Sequence, residues 1–247
     1  MSFERTGVSV ASLDDLDRAG MEAYVRERAE VPEGEEWQPW GQRMGLLART
    51  ASRWVPTSVS LVLFGIRPQL IHPEWGLSAV QVRGVTLADD IQQRADLEGP
   101  LEALLEAGLA FVEEATTQLD EGGEYPPLAV REALVNALVH RDLRRPSRVS
   151  LRLFDDRLEL HNPGGVGETV GDIEEWLQRG GISHARNPLL VAHARGLGLV
   201  EQLGRGLACM RRAMGEGASR SIELRVSPRD FQVTIPSRFR LMSRTPS

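Results

Sequence analysis

From Pro127 onward the chain is punctuated in a fixed order. It shows a strong helical pattern, two alternating strands, a glycine turn, a long irregular stretch, a second glycine turn, another helical pattern and a closing hairpin. Leu128–His140 reads as a helix with Pro127 near its first turn, where the missing N–H is no loss. Val149, Leu151 and Leu153 alternate, Asp155-Asp156 turns the chain, and Leu158 and Leu160 alternate on the way back. Ile222–Val226 and Phe231–Ile235 read as a last hairpin. Leu134, Val135 and Leu138 give the helix an apolar side that can pack against a sheet, so an α/β arrangement is expected.

The chain upstream is read as a smaller mixed α/β unit. Ser12 is a candidate N-cap for a helix carrying Met21, Tyr24 and Val25. Residues 31–40 read as a loop, Gln42–Thr50 as a short helix, Ser58–Phe64 as a buried strand and Leu77–Val85 as a second strand. Leu97–Leu119 is the longest helical pattern, with Leu101, Leu104, Leu105, Leu109 and Val112 on one face. Glu121-Gly-Gly-Glu-Tyr-Pro-Pro127 breaks the pattern at the point where the charge changes sign. Residues 1–120 carry 10 Arg against 20 acidic residues, and residues 121–247 carry 19 against 15. The expected division is therefore an N-terminal accessory domain, 1–120, a second domain, 121–240, and a tail, 241–247. Further helices are expected at Asp172–Gln178, Leu189–Arg195, with Gly196 as its C-cap, and Leu207–Met214.

All 29 basic residues are arginine, and that excludes chemistry. A P-loop and a protein kinase both need a lysine at the phosphates, so neither is available. His140-Arg141-Asp142 resembles a kinase catalytic loop only by accident. Cys209 is the one cysteine, which excludes an intramolecular disulfide and a thiolate-rich zinc site. The five histidines have no metal-ligand spacing. The longest apolar run, Val59–Ile66, falls far short of the roughly 20 residues of a membrane helix. The N-terminus lacks a basic-then-apolar signal pattern, so a cytoplasmic protein is expected.

Three short motifs carry the candidate chemistry. Glu132 and Asn136 stand four apart and share one helix face. The Asn carbonyl oxygen suits Mg²⁺, a hard ion, and the Glu suits a water-activating base. Asn162-Pro163-Gly164-Gly165 follows a strand directly. Its glycines allow close approach, and Asn162 offers donor and acceptor to a base edge. Gly204-Arg205-Gly206 precedes a helix, where exposed backbone N–H groups make an anion site. Each alone also fits an ordinary polar face or turn; the order of all three is the specific signal, and it points to a nucleotide pocket without a Walker lysine.

With these residues in hand, the region 120–240 resembles the ATP-binding domain of the gyrase, MutL and histidine-kinase superfamily, the Bergerat fold. More closely, it is similar to the branch of RecG-like ATP-dependent helicases and transcriptional regulators. The likeness rests on Tyr125-Pro126-Pro127, Arg131–Asp142, Leu158–Gly165, Arg186–Leu190 and Leu197–Gly206. It reaches upstream through Leu61–Gln69 and Asp96–Leu101. The resemblance implies a two-layer α/β sandwich holding ATP and Mg²⁺ under a lid. Glu132 would be the general base, Asn136 the Mg²⁺ ligand, and Asn162 would stand where the superfamily has an adenine-reading Asp. Gly164 and Gly165 would shape the adenine end, and Gly204 and Gly206 would cradle phosphate. Without lysine, Arg186, Arg205 or Arg141 would supply charge at the γ-phosphate.

The expected activity is a slow Mg²⁺-dependent ATPase coupled to a conformational change, in a DNA-related or regulatory role. The alternative is a DNA-binding transcriptional regulator with a degenerate nucleotide site, with Arg144-Arg145 and Arg211-Arg212 as basic clusters. The net charge of −6 and the acidic first 120 residues weigh against strong DNA affinity. A motor helicase is not expected, because strand separation needs two nucleotide-driven lobes and a P-loop. In the family a DNA-binding domain lies further upstream, and the resemblance places none within these 247 residues. A DNA or protein partner and a homodimer are left open by the residues.

Overall fold

The computed structural model of the protein describes residues 3–116, 124–165, 186–200, 210, 214, 222–227 and 230–237. Its centre is a six-stranded mixed sheet. The strands are β3 (Leu77–Arg83), β4 (Asp90–Leu97), β5 (Val149–Leu153), β6 (Arg157–Pro163), β7 (Glu223–Val226) and β8 (Asp230–Pro236), and they lie in the order β4-β3-β5-β6-β8-β7. Only β3 and β5 run parallel; the other neighbours are antiparallel. Leu77 and Val149 begin the parallel pairing, so the sheet takes strands from both sides of residue 121. A separate two-stranded ribbon pairs β1 (Leu47–Arg49) with β2 (Trp54–Pro56). The architecture is the expected α/β sandwich.

Period-two alternation decides which face is covered. Leu151 and Leu153 on β5, Leu158 and Leu160 on β6, and Val233 and Ile235 on β8 are buried. Two helices lie across the sheet, α4 (Leu101–Thr116) over β3 and α5 (Pro127–His140) over β6. Gly108 lets α4 descend; a Cβ there would stand 3.0 Å from Leu77 Cδ2 and 3.3 Å from Leu134 Cδ2. The intervening strand positions carry Ser150, Arg152, Arg157, Glu159 and His161. Here the His161 hydrogen bond, opposed by burial and reinforced by Arg157, holds the Glu159 carboxyl down at about 2. A depressed carboxylate stabilises the fold above its ordinary value and loses that contribution as pH falls through the folded value. Glu159→Gln is therefore expected to flatten acid unfolding between about pH 4.5 and 2, read by circular dichroism at stepped pH.

Four sequence expectations are corrected. Ser58–Phe64 is a helix, α3, not a strand. All seven of its residues are buried, so an apolar run carries no periodicity that tells helix from strand. The deciding signal is local. Thr57 accepts from Ser60 N while Thr57 N donates to Ser60 Oγ at 2.9 Å, a reciprocal cap. Gln42–Thr50 is not a helix. Helix α2 (Gln38–Arg43) starts earlier, with Pro39 in its first turn, and Gly45 at φ +79° turns the chain into β1. Ser12 caps only a 3-10 turn, Leu13–Asp15; helix α1 (Arg18–Ala29) takes Asp17 as its cap. Leu97 ends β4 rather than beginning a helix. Strand β4 escapes sequence reading because its alternation through Ile91, Ala95 and Leu97 is broken by Gln93 and by a register shift against β3.

A last helix, α6 (Pro188–Gly196), is anchored by the N-terminal segment. The buried Glu4 carboxylate accepts from Leu190 N at 2.6 Å, placing a negative charge in the first turn of α6. His193 on α6 stands 3.0 Å from Met44 O through Nε2 and 2.8 Å from the Tyr24 hydroxyl through Nδ1. A carbonyl only accepts, so Nε2 carries the proton and Nδ1 receives the Tyr24 proton. Burial, with the Arg5 and Arg28 charges, keeps this imidazole below its usual range and neutral, against the pull of Met44 O. The helix ends at Gly196, but it is Gly198 that takes the positive φ, +74°. No helix among the described residues is long and apolar enough to cross a membrane.

Candidate functional site

Helix α5 is the spine of the site. It carries Glu132 and Asn136 half-buried on one side, while Ala133, Leu134, Ala137 and Leu138 are buried. Asn136 Nδ2 donates to Glu132 Oε1 at 3.0 Å. That bond orients both groups. It turns the Asn136 amide so that Oδ1 is the atom left for a cation, and it requires an accepting oxygen on Glu132.

The next contacts step down the last turns of α5. Asn162, at the end of β6 and 4% exposed, takes the amide orientation in which Nδ2 donates to Ala137 O at 3.3 Å and to Pro163 O at 3.3 Å. Asn187, buried before α6, donates to Val139 O at 2.9 Å and to Arg141 O at 2.8 Å. These are carbonyls that a helix end leaves without partners, so Asn187 caps α5 from a distant part of the chain. Desolvation and the nearby Arg186 cation hold the His140 imidazole below its usual range.

Asp142 closes the series. Its backbone N donates to Pro163 O at 2.7 Å, which ties the exit of α5 to the end of β6. Its buried carboxylate accepts from Arg144 Nε at 3.0 Å and from Arg186 Nη1 at 2.9 Å. Burial raises this carboxyl, but the Arg144 hydrogen bonds and the Arg144 and Arg186 charges win and hold it below the usual carboxylate range. Arg186 Nη2 also donates to Gly165 O. Gly164 makes the approach possible, with φ +105° and a built Cβ 2.8 Å from Asp142 Cβ. Gly164→Ala is expected to destabilise the protein by about 1–3 kcal/mol, from left-handed strain and the clash with Asp142. Urea unfolding measures it, and a change below a few tenths of a kcal/mol would show that the turn tolerates a side chain.

The structure thus places Glu132 and Asn136 along α5, and Asn162, Gly164, Gly165 and Arg186 around its C-terminal end and the end of β6. Gly204, Arg205 and Gly206 lie outside the described residues, as do Cys209, Arg211-Arg212, Asp172–Gln178 and the tail. One of the proposed cation sources, Arg141, is corrected. Arg141 is 2% exposed, and its guanidinium donates to Glu74 O at 2.6 Å, Ser147 O at 2.9 Å and Gly76 O at 3.4 Å. It braces the fold and cannot reach out to a phosphate. Arg186 has both terminal nitrogens engaged, by Asp142 and Gly165. Asp142 and Asn187 had no assigned role in the sequence reading, because their partners lie far along the chain. Among the described residues no group of three or more His, Cys, Asp or Glu could hold a metal ion.

Residues 147–235 match the family described as "Putative ATP-dependent DNA helicase recG C-terminal". The match covers a segment of the chain, from β5 to β8. It contains Asn162, Gly164, Gly165 and Arg186; Glu132 and Asn136 on α5 precede it. The crystal structure of the DIP2311 protein from Corynebacterium diphtheriae is similar to this chain, with a TM-score of 0.68 and 21% identity over 96% of the present chain. At that identity the likeness is one of fold. The chain spans 40% of the length of that protein. No curated protein matches the chain significantly.

Proposed function

We propose that the protein binds ATP along α5 and the β6 turn and hydrolyses it slowly with Mg²⁺. The single observation that carries this reading is the Asn136 Nδ2 to Glu132 Oε1 bond at 3.0 Å, on the helix whose next turn meets Asn162. A solvated polar face needs no such orientation, whereas an ATPase needs a ligating oxygen and a base side by side. The match of residues 147–235 to a family described as ATP-dependent supports the same reading.

Asn136 Oδ1 would hold the Mg²⁺ that accompanies ATP, an ion that suits oxygen ligands and offsets triphosphate charge. Glu132 takes a proton from a water aligned on the γ-phosphorus, and the bond to the bridging oxygen breaks to give ADP and inorganic phosphate. Asn162, with its Nδ2 held by Ala137 O and Pro163 O, turns Oδ1 to the base, an acceptor matched to an exocyclic amine. Gly204 and Gly206 are assigned to the phosphates on the sequence motif alone. The role we infer is regulatory or DNA-related. Arg144, at one of the two basic clusters, is already paired with Asp142, which does not favour the reading as a DNA-binding regulator.

Thermal unfolding with and without nucleotide tests the reading. Mg²⁺-ATP at 100 times its Kd should stabilise the protein by about 2.7 kcal/mol, and chelating the metal should remove most of the shift. An unchanged melting curve at millimolar Mg²⁺-ATP would overturn it.

A further inference from the structure

We propose that Arg186 stacks on the base of the bound nucleotide rather than reaching its phosphates, and that Asp142 is the residue that positions it. The proposal rests on the ATP-binding reading above and adds to it the residue that meets the base.

The argument is geometric. A guanidinium donates in its own plane, and both terminal nitrogens of Arg186 are so engaged, Nη1 by Asp142 Oδ2 at 2.9 Å and Nη2 by Gly165 O. A phosphate would have only the remaining N–H groups, and would meet them beside the negative charge of Asp142. Its flat faces are a separate matter. A Cβ built on Gly164 lies 3.3 Å from Arg186 Cζ, and no nitrogen of Arg186 comes nearer. An atom approaching in the plane would meet a nitrogen first, so Gly164 lies against one face of the guanidinium. The side chain remains 27% exposed. A planar cation with two donors held in its plane and one face on a glycine offers the opposite face to a flat aromatic partner. Asn162, assigned to the base edge, stands two residues before this glycine.

Asp142 fixes the arrangement. Its carboxylate is buried, and its backbone N is bonded to Pro163 O, so it cannot follow Arg186 if the pair breaks. Without the carboxylate, Gly165 O alone among the described residues is left to define the plane of Arg186. Stacking is tolerant of base identity, so Arg186 supplies affinity and leaves base selection to Asn162.

The test compares ATP, ADP and adenosine by ligand-observed NMR titration against the wild type, Arg186→Ala, Asp142→Asn and the double variant. Arg186→Ala should weaken all three ligands by the same factor, about tenfold. Asp142→Asn should weaken all three by a smaller common factor and add nothing in the Arg186→Ala background. A loss that is large for ATP and absent for adenosine would make Arg186 a phosphate residue and overturn the proposal. Independent, additive losses would overturn the positioning role of Asp142. Arg186→Gln keeps a donor for Asp142 and Gly165 without the stacking plane, and it must show the same uniform loss even if the alanine variant unfolds. A wild type that binds none of the three ligands removes the ATP reading together with this inference, whereas unequal losses on a binding wild type remove the inference alone.

Discussion

Arg141→Leu is expected to lower the stability of the protein by about 3–5 kcal/mol, enough to leave much of it unfolded at 37 °C. The guanidinium is 2% exposed and bridges Glu74 O, Gly76 O and Ser147 O, joining the approach to β3 with the segment between α5 and β5. Removing it strands three carbonyls away from water, each at about 1–3 kcal/mol before relaxation. Burial lowers its pKa to about 10, against the opposing pull of Glu74 and Asp142, so the charge persists at neutral pH. Leucine replaces much of the volume but none of the donors, which separates hydrogen bonding from packing. Guanidinium denaturation reads the effect. A loss below 1 kcal/mol would mean that the three carbonyls find water and that Arg141 is not a brace.

Glu132→Gln should leave Mg²⁺-ATP binding within about threefold of the wild type while slowing phosphate release by about 100- to 10,000-fold. Glutamine keeps an oxygen for the Asn136 Nδ2 bond, so the orientation at 3.0 Å can survive the change. What it removes is the capacity to accept a proton. The expected signature is therefore a fall in kcat with little change in affinity, the pattern of an interaction made only in the transition state. Phosphate release under single-turnover conditions measures it. Equal turnover by the variant would assign the proton to another group and leave Glu132 as a partner that orients Asn136.

The described strands and the helix after Pro127 were legible because local rules decide them. Alternation at Val149–Leu153 and Leu158–Leu160, the Asp155-Asp156 turn and the Pro127 start each need only neighbouring residues, and all appear where expected. Ser58–Phe64 was misread because a fully buried run has no polar face to set its period, and the Thr57 cap was the sole local clue. Strand β4 leans on its pairing with β3, because the alternation of Asp90–Leu97 is interrupted at Gln93 and too weak to stand alone. The same limit governs the site. Glu132 and Asn136 could be placed on one helix face from spacing. The fates of Arg141 and Arg186 could not, because their partners lie 6–67 and 21–44 residues away. Nor does any sequence signal show that Glu4 caps a helix 186 residues distant.

The most direct test of the account is calorimetric titration of Mg²⁺-ATP into the wild type and Asn136→Ala. The account predicts magnesium-dependent binding by the wild type and a loss of at least about 30-fold in Asn136→Ala, with the variant still folded, since Asn136 is half-buried and its bond to Glu132 runs along its own helix. Equal affinity in the two proteins, or binding indifferent to magnesium, would contradict the assignment of Asn136 Oδ1 as the metal-facing atom and with it the central claim.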